Sequence, residues 1–195
     1  FIMAFIVIIF ITNEYSYRTI RQNVIDGLSK TEFLAAKLLF IFILCLINVL
    51  VLALLGLILG LKYSAVTDFS SIIDNSEFLL AYGLGLFTYA LFAFFTGMVL
   101  KRSGVSIILF AIYTIFAEPF ITLILQNHPK LPSFYASFSE FLPMEALNNL
   151  IANPLPRYVL REIQDYIALA DLAVVSGYSV LFLLAIRWLM NKRDL

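Results

Sequence analysis

The chain has 195 residues, 62% hydrophobic and only 13% charged, with a formal net charge of zero and a mean hydropathy of +0.97. A soluble domain is about half apolar and roughly a quarter charged, so this balance excludes the ordinary soluble class and places the chain among membrane proteins. A neutral chain offers no electrostatic footprint for nucleic acid, and a single cysteine, Cys45, excludes an intrachain disulfide framework and a cysteine-rich metal site.

The first element, FIMAFIVIIFIT, opens without an initiator methionine. Its apolar run falls short of the ~20 residues a bilayer crossing needs. It has neither the basic leader nor the small-residue cleavage site of a signal peptide. Residues 1–12 therefore read as the end of a span that starts upstream.

The next stretch, NEYSYRTIRQNVIDGLSKTEF, covers residues 13–33. Tyr17, Ile20, Val24 and Leu28 recur at spacings of three and four and form one helix face. Glu14, Arg18, Arg21, Gln22 and Asp26 fall on the other. Gly27 is a natural stop, because glycine takes the left-handed conformation cheaply. Ser29 and Glu32 form a capping box that starts a new helix. The expectation is a short amphipathic helix, a tight turn and a freshly capped helix from Lys30 to about Leu61. That helix is longer than the ~30 Å hydrocarbon core, with Lys37 snorkelling to the interface. A helix resting on lipid headgroups carries a cationic polar face. This face mixes acids, bases and amides, which suits a protein partner better.

Apolar runs at 33–61, 78–100, 105–125 and 172–190 are each long enough to span as a helix. They do not alternate as barrel strands would. With residues 13–33 in the cytoplasm, the sides alternate. Nine cations (Arg18, Arg21, Lys30, Lys37, Lys101, Arg102, Arg187, Lys192, Arg193) lie inside, and four (Lys62, Lys130, Arg157, Arg161) lie outside. The C-terminus is then cytoplasmic, and the loops at 62–77 and 126–171 are external.

In the long external loop, EFLPMEALNNLI spaces Phe141, Met144, Leu147 and Leu150 as a helix does. Pro154 and Pro156 break the chain. PRYVLREIQDYIALAD then puts Val159, Ile163, Tyr166 and Ile167 on one face. These read as two short amphipathic helices lying at or dipping into the outer interface, or as a plain surface loop.

The order of Glu14, the Arg18–Arg21 cluster, Gly27-Leu28-Ser29-Lys30-Thr31-Glu32-Phe33 and Lys37 resembles the permease subunits of type-2 ABC transporters. The closing IRWLMNKRDL and the long external loop before the last span resemble them too. The chain departs from the family in having Arg18 where a glycine often precedes the threonine, and in lacking the common proline before Ser29. The resemblance covers nearly the whole chain. It implies one transmembrane permease domain over 1–195, an all-α polytopic bundle. Five of six spans are present, the first in part, with a cytoplasmic coupling helix and short external amphipathic helices. It places the chain in the inner (plasma) membrane and implies that Glu14, Arg18, Thr19, Arg21, Gln22 and Asp26 dock on a separate ABC ATPase subunit. A second permease subunit, identical or homologous, completes the pair.

No glycine begins a P-loop, so if ATP drives this protein, as the resemblance implies, ATP and Mg are bound by the partner ATPase and this chain carries no cofactor. No span holds the paired groups of a hydrolase. His128, alone in a loop beside Pro129, is no metal site. Glu118, followed by Pro119, is an intramembrane acid and so a candidate for a substrate path or outer gate. Alternatively it is solvated near the outer surface or paired with Thr122. Asn48, mid-span, is a second polar candidate on that path, expected to make an interhelical hydrogen bond of ~1 kcal/mol. Gly56 and Gly60 mark close helix packing, within the chain or between subunits. Two alternative functions remain: a secondary transporter or channel subunit without an ATPase, and a membrane-embedded enzyme.

Overall fold

A computed structural model describes residues 1–17, 19–25, 27–63, 76–127, 137–151 and 166–192, without the side chains of Ile20, Arg21 and Val24. Every regular element among them is helical. In chain order these are α1 (Ile2–Ser16), α2 (Thr19–Ile25), α3 (Lys30–Tyr63), α4 (Ser76–Leu100), α5 (Ser103–Asn127), α6 (Pro143–Leu150) and α7 (Leu169–Lys192). Helices α3, α4, α5 and α7 are long and apolar enough to cross a membrane, while α1 has 15 residues. Each of the four extends beyond its apolar run into flanking polar residues such as Ser76 and Ser103, which suit helix starts.

Helix α4 is the axis of the bundle and packs against α1, α3, α5, α6 and α7. Its small residues decide how closely α1 approaches. A Cβ at Gly97 would lie 2.5 Å from Ile11 Cγ2, so glycine there is a packing requirement. Val7, Ile8 and Ile11 of α1 pack in one core with Ala90, Leu91, Phe94 and Met98 of α4 and Ile186 of α7. Aromatic rings extend this core: Phe92 stacks on Phe182 at 5.1 Å and lies 5.2 Å from Phe110. The hydroxyls of Thr88 and Ser179 meet at 2.6 Å between α4 and α7. A second, smaller core of Ala81, Ala146, Leu150 and Val175 holds α6 against α4 and α7.

The ends of the helices sort into two groups. At one end, Lys30 Nζ donates to the Met190 carbonyl at 3.4 Å, and Lys101 Nζ stands 5.3 Å from the Tyr15 ring. A cation on a last-turn carbonyl also suits the helix dipole of α7. At the other end, α6 lies among α4, α5 and α7. Helix α5 passes through a π segment at Tyr113–Ala117, just before Pro119. The Glu118 N–H bonds to the Tyr113 carbonyl rather than to that of Thr114. Proline has no N–H to offer, so the extra residue shifts the hydrogen-bond ladder around the gap.

The predicted amphipathic helix in EFLPMEALNNLI is present as α6, with Pro143 in its first turn. It does not lie flat on an interface, because Ala146 and Leu150 are buried against the bundle. Most of the second predicted amphipathic helix, and His128, lie outside the described residues.

Candidate functional site

Two places concentrate the polar chemistry. The first is the junction between α1 and α3. The predicted helix from Glu14 to Asp26 is instead broken at Tyr17, and Glu14 belongs to the last turn of α1. Its carboxylate accepts hydrogen bonds from the Lys37 ammonium and the Thr19 hydroxyl. The same hydroxyl lies 3.3 Å from the Glu14 carbonyl. Lys37 Nζ also sits 3.9 Å above the Phe10 ring and 5.1 Å from that of Phe33. The lysine thus meets a carboxylate and two aromatic faces at once, a combination of ion pair and cation–π attraction. Its predicted reach to a lipid interface is replaced by this inward pairing. The side chains of Lys37 and Glu14 are only 12% and 17% exposed, so the pair is largely shielded from water.

Helix α2 ends as the sequence predicts. Gly27 has a φ of +100°, and the Leu28 N–H reaches the Asn23 carbonyl at 2.9 Å, the 6→1 bond of a Schellman turn. The capping box is also formed. Ser29 N–H donates to Glu32 Oε2 at 2.8 Å, and Glu32 N–H donates to Ser29 Oγ at 3.2 Å. Glu14 and Thr19 come together. Gln22 is exposed, as are Tyr17, Ile25 and Leu28. Arg18, Asp26 and the Arg21 side chain lie outside the described residues. Sequence reasoning missed Lys37 as the partner of Glu14, since Arg18, Arg21 and Lys30 lie nearer to that acid along the chain.

The second place is Glu118. It is neither solvated nor paired with Thr122: it is 1% exposed, and Oε1 accepts the main-chain N–H groups of Met144 and Glu145, the latter at 3.0 Å. These are among the first N–H groups of α6, which a helix cannot satisfy internally. Pro143 supplies none, and the cap residue Leu142 has no side-chain acceptor. Glu118 therefore caps α6 from a different helix, where the positive end of the helix dipole favours a carboxylate. Glu118 Oε2 and Thr122 Oγ1, one turn apart on α5, are buried and meet no hydrogen-bond partner among the described residues. The Tyr178 hydroxyl donates to the Phe141 carbonyl, tying the approach to α6 onto α7.

Beside this cap lies a cleft of about 440 Å³, lined by Tyr82, Leu86 and Tyr89 of α4, Thr114 of α5, and Met144 and Asn148 of α6, among others. The size is that of a small-molecule site. Asn48 takes no part in it. Asn48 is exposed on α3, and its Nδ2 donates to the Leu44 carbonyl of its own helix at 2.8 Å. The expected interhelical bond is not made among the described residues, because α3 leaves the bundle near Val49, which faces Gly83 of α4. Gly56 and Gly60, further along, have no atom within 4 Å of a notional Cβ, so they serve no packing within the described chain. Among the described residues, no three His, Cys, Asp or Glu side chains gather as metal ligands.

A family model described as Protein of unknown function (DUF2705) matches residues 1–195. Neither the curated proteins nor the solved structures contain a match.

Proposed function

The chain belongs to the family described as Protein of unknown function (DUF2705), and we propose that it is the transmembrane permease subunit of an ATP-driven exporter of the type-2 ABC kind. The observation that carries this reading is the architecture of residues 13–37. A short helix is locked between two apolar helices by Glu14, Thr19 and Lys37 on one side, and by the Gly27 turn and Ser29–Glu32 box on the other. A force applied to α2 passes directly to α1 and α3, which is what a coupling helix needs. Gln22 and the apolar side chains of Tyr17, Ile25 and Leu28 are exposed there for a partner.

In this reading α2 and the C-terminus face the cytoplasm of an inner (plasma) membrane protein. Five of six spans are in hand, and a second permease copy and two ATPase subunits complete the machine. The ATPase binds ATP and Mg. Glu14 and Thr19 position the helix, while Arg18, Arg21, Gln22 and Asp26 make the docking contact. Glu118 and the cleft belong to the substrate path or its outer gate.

The test is reversal of charge in α2. A single rim charge is worth about 0.2–1 kcal/mol when exposed, whereas two reversed charges face like charges across a partly desolvated contact. Arg18→Glu with Arg21→Glu is expected to insert normally, since no span changes. It should lose co-purification with the ATPase and stimulated ATP hydrolysis. Normal binding and coupling in an inserted double variant would reduce α2 to a membrane-surface element.

A second reading, a secondary transporter without an ATPase, is favoured by one observation: the fully buried acid Glu118 inside a candidate span.

A further inference from the structure

Glu118 raises a question of charge balance. A buried carboxylate persists only with a counter-charge or a full set of donors. Oε1 has its donors, the N–H groups of Met144 and Glu145. Oε2 meets no donor in regular hydrogen-bond geometry among the described residues, the Tyr113 hydroxyl being the side-chain donor that bears on this carboxyl, and Thr122 Oγ1, four residues on and so on the same helix face, meets no partner either. Among the described residues, the ionisable groups facing Glu118 are Tyr113 on α5, Glu145 on α6 and Tyr178 on α7, two phenols and a second acid. None of them brings positive charge. The single ion pair among the described residues, Glu14 with Lys37, is at the opposite end of the bundle. The π segment adds a further oxygen. The Glu118 N–H is committed to Tyr113 and Pro119 has no N–H, so the Thr114 carbonyl loses its usual α-helical donor on the same face.

We propose that Glu118 Oε2 and Thr122 Oγ1 form a binding site for one small monovalent cation, H⁺ or Na⁺, at the foot of α6. Both ligands answer the same need, a positive charge placed between two buried oxygens. As H⁺, it forms an O–H bond at Oε2, one helical turn from Thr122 Oγ1; the proton comes from and returns to water. As Na⁺, it keeps the carboxylate ionised and takes hydroxyl and carbonyl oxygens as hard ligands. Occupancy then bears on α6, because the other oxygen of the same carboxylate caps that helix, and α6 is a wall of the cleft. The site does not depend on the ATPase reading, since binding is measured on this chain alone.

The experiment follows the unfolding midpoint of the purified full chain in lipid nanodiscs. NaCl is titrated against choline chloride at constant ionic strength, at several values between about pH 5 and 8. A ligand bound only by the native state raises the midpoint. The midpoint is expected to rise with Na⁺, with falling pH, or with both in competition. Dependence on pH alone assigns H⁺, and a Na⁺ dependence that weakens as pH falls assigns Na⁺. In Glu118→Gln the dependence is lost. In Thr122→Val the half-effective Na⁺ concentration is expected to rise about tenfold or more, the loss of one charge-assisted contact, with the pH dependence kept. Direct binding of radioactive Na⁺ to the wild-type chain, repeated across the same pH range, covers the case in which Glu118→Gln fails to fold. A midpoint indifferent to both ions in the wild type, an equal response to Na⁺ and choline, or an unchanged response in folded Glu118→Gln would each overturn the proposal.

Discussion

Glu14 and Glu118 stand at opposite ends of the bundle, both cut off from most water, and differ in what meets them. Glu14 is matched in kind: an ammonium, a hydroxyl and the aromatic faces beside the ammonium enclose it. Glu118 is matched by two main-chain dipoles on one oxygen, and beyond these has only the Tyr113 phenol, with no partner in regular hydrogen-bond geometry at the other oxygen among the described residues. A complete match fixes the helices it joins, whereas a half match holds a helix and leaves chemistry to spare. The surroundings follow the same division. The Glu14 end rests on the large core of α1, α4 and α7, and the Glu118 end on the small core around α6.

The contrast is most exposed at Lys37. Removing one member of a shielded pair strands the other, at a cost of about 3–5 kcal/mol. Lys37→Met should therefore lower the unfolding free energy by that order, and Lys37→Met with Glu14→Gln should recover most of it. Both are read by denaturation in mixed micelles. A loss below about 1 kcal/mol in the single variant would make the pair an ordinary surface contact.

Two glycines of α4 sharpen the comparison of the cores. Gly97→Ala forces a methyl against Ile11 in the tight core and is expected to cost about 1–3 kcal/mol. Gly85→Ala meets Leu150 at 3.6 Å, an ordinary contact in the looser core, and should fall within about 0.5 kcal/mol. Equal losses would show that the two ends are packed alike.

Glu118→Ala removes a cap, worth about 0.5–2 kcal/mol. The effect should be local: amide exchange in α6 accelerates while α1 and α4 keep their protection. Acceleration throughout would make Glu118 a clamp of the same rank as Glu14. Asn48→Leu should have the smallest effect on the isolated chain, within about 0.5 kcal/mol, because the amide bonds only its own helix. The same denaturation assay measures it.

Much of this was readable from the sequence where the cause is local. The four long helices follow from apolar length alone. Gly27 and the Ser29–Glu32 box act within a few residues of themselves, and both signals describe what the chain does there. The break at Tyr17 was not readable, because it accommodates a bond between Glu14 and Lys37, 23 residues apart. The partner of Glu118 was hidden for the same reason: it is the start of a helix 26 residues further on. Asn48 misled in the opposite direction. A polar residue in mid-span suggests a neighbouring helix, and only the path of α3 away from α4 shows that the described residues offer none.

That path has a mechanical consequence. Helix α3 has 34 residues, about 50 Å at ~1.5 Å per residue, against a hydrocarbon thickness of ~30 Å. A helix too long for its bilayer tilts or thickens the lipid around it, at fractions of a kcal/mol per Å of mismatch. From Leu50 to Tyr63 it is exposed on nearly every side, so in a bilayer this half can lean without dragging α4 with it. Its first turns are bolted to α1 by Lys37. Lateral pressure and lipid length would then register as leverage on one helix, with its fulcrum near Val49, while the central bundle keeps its shape.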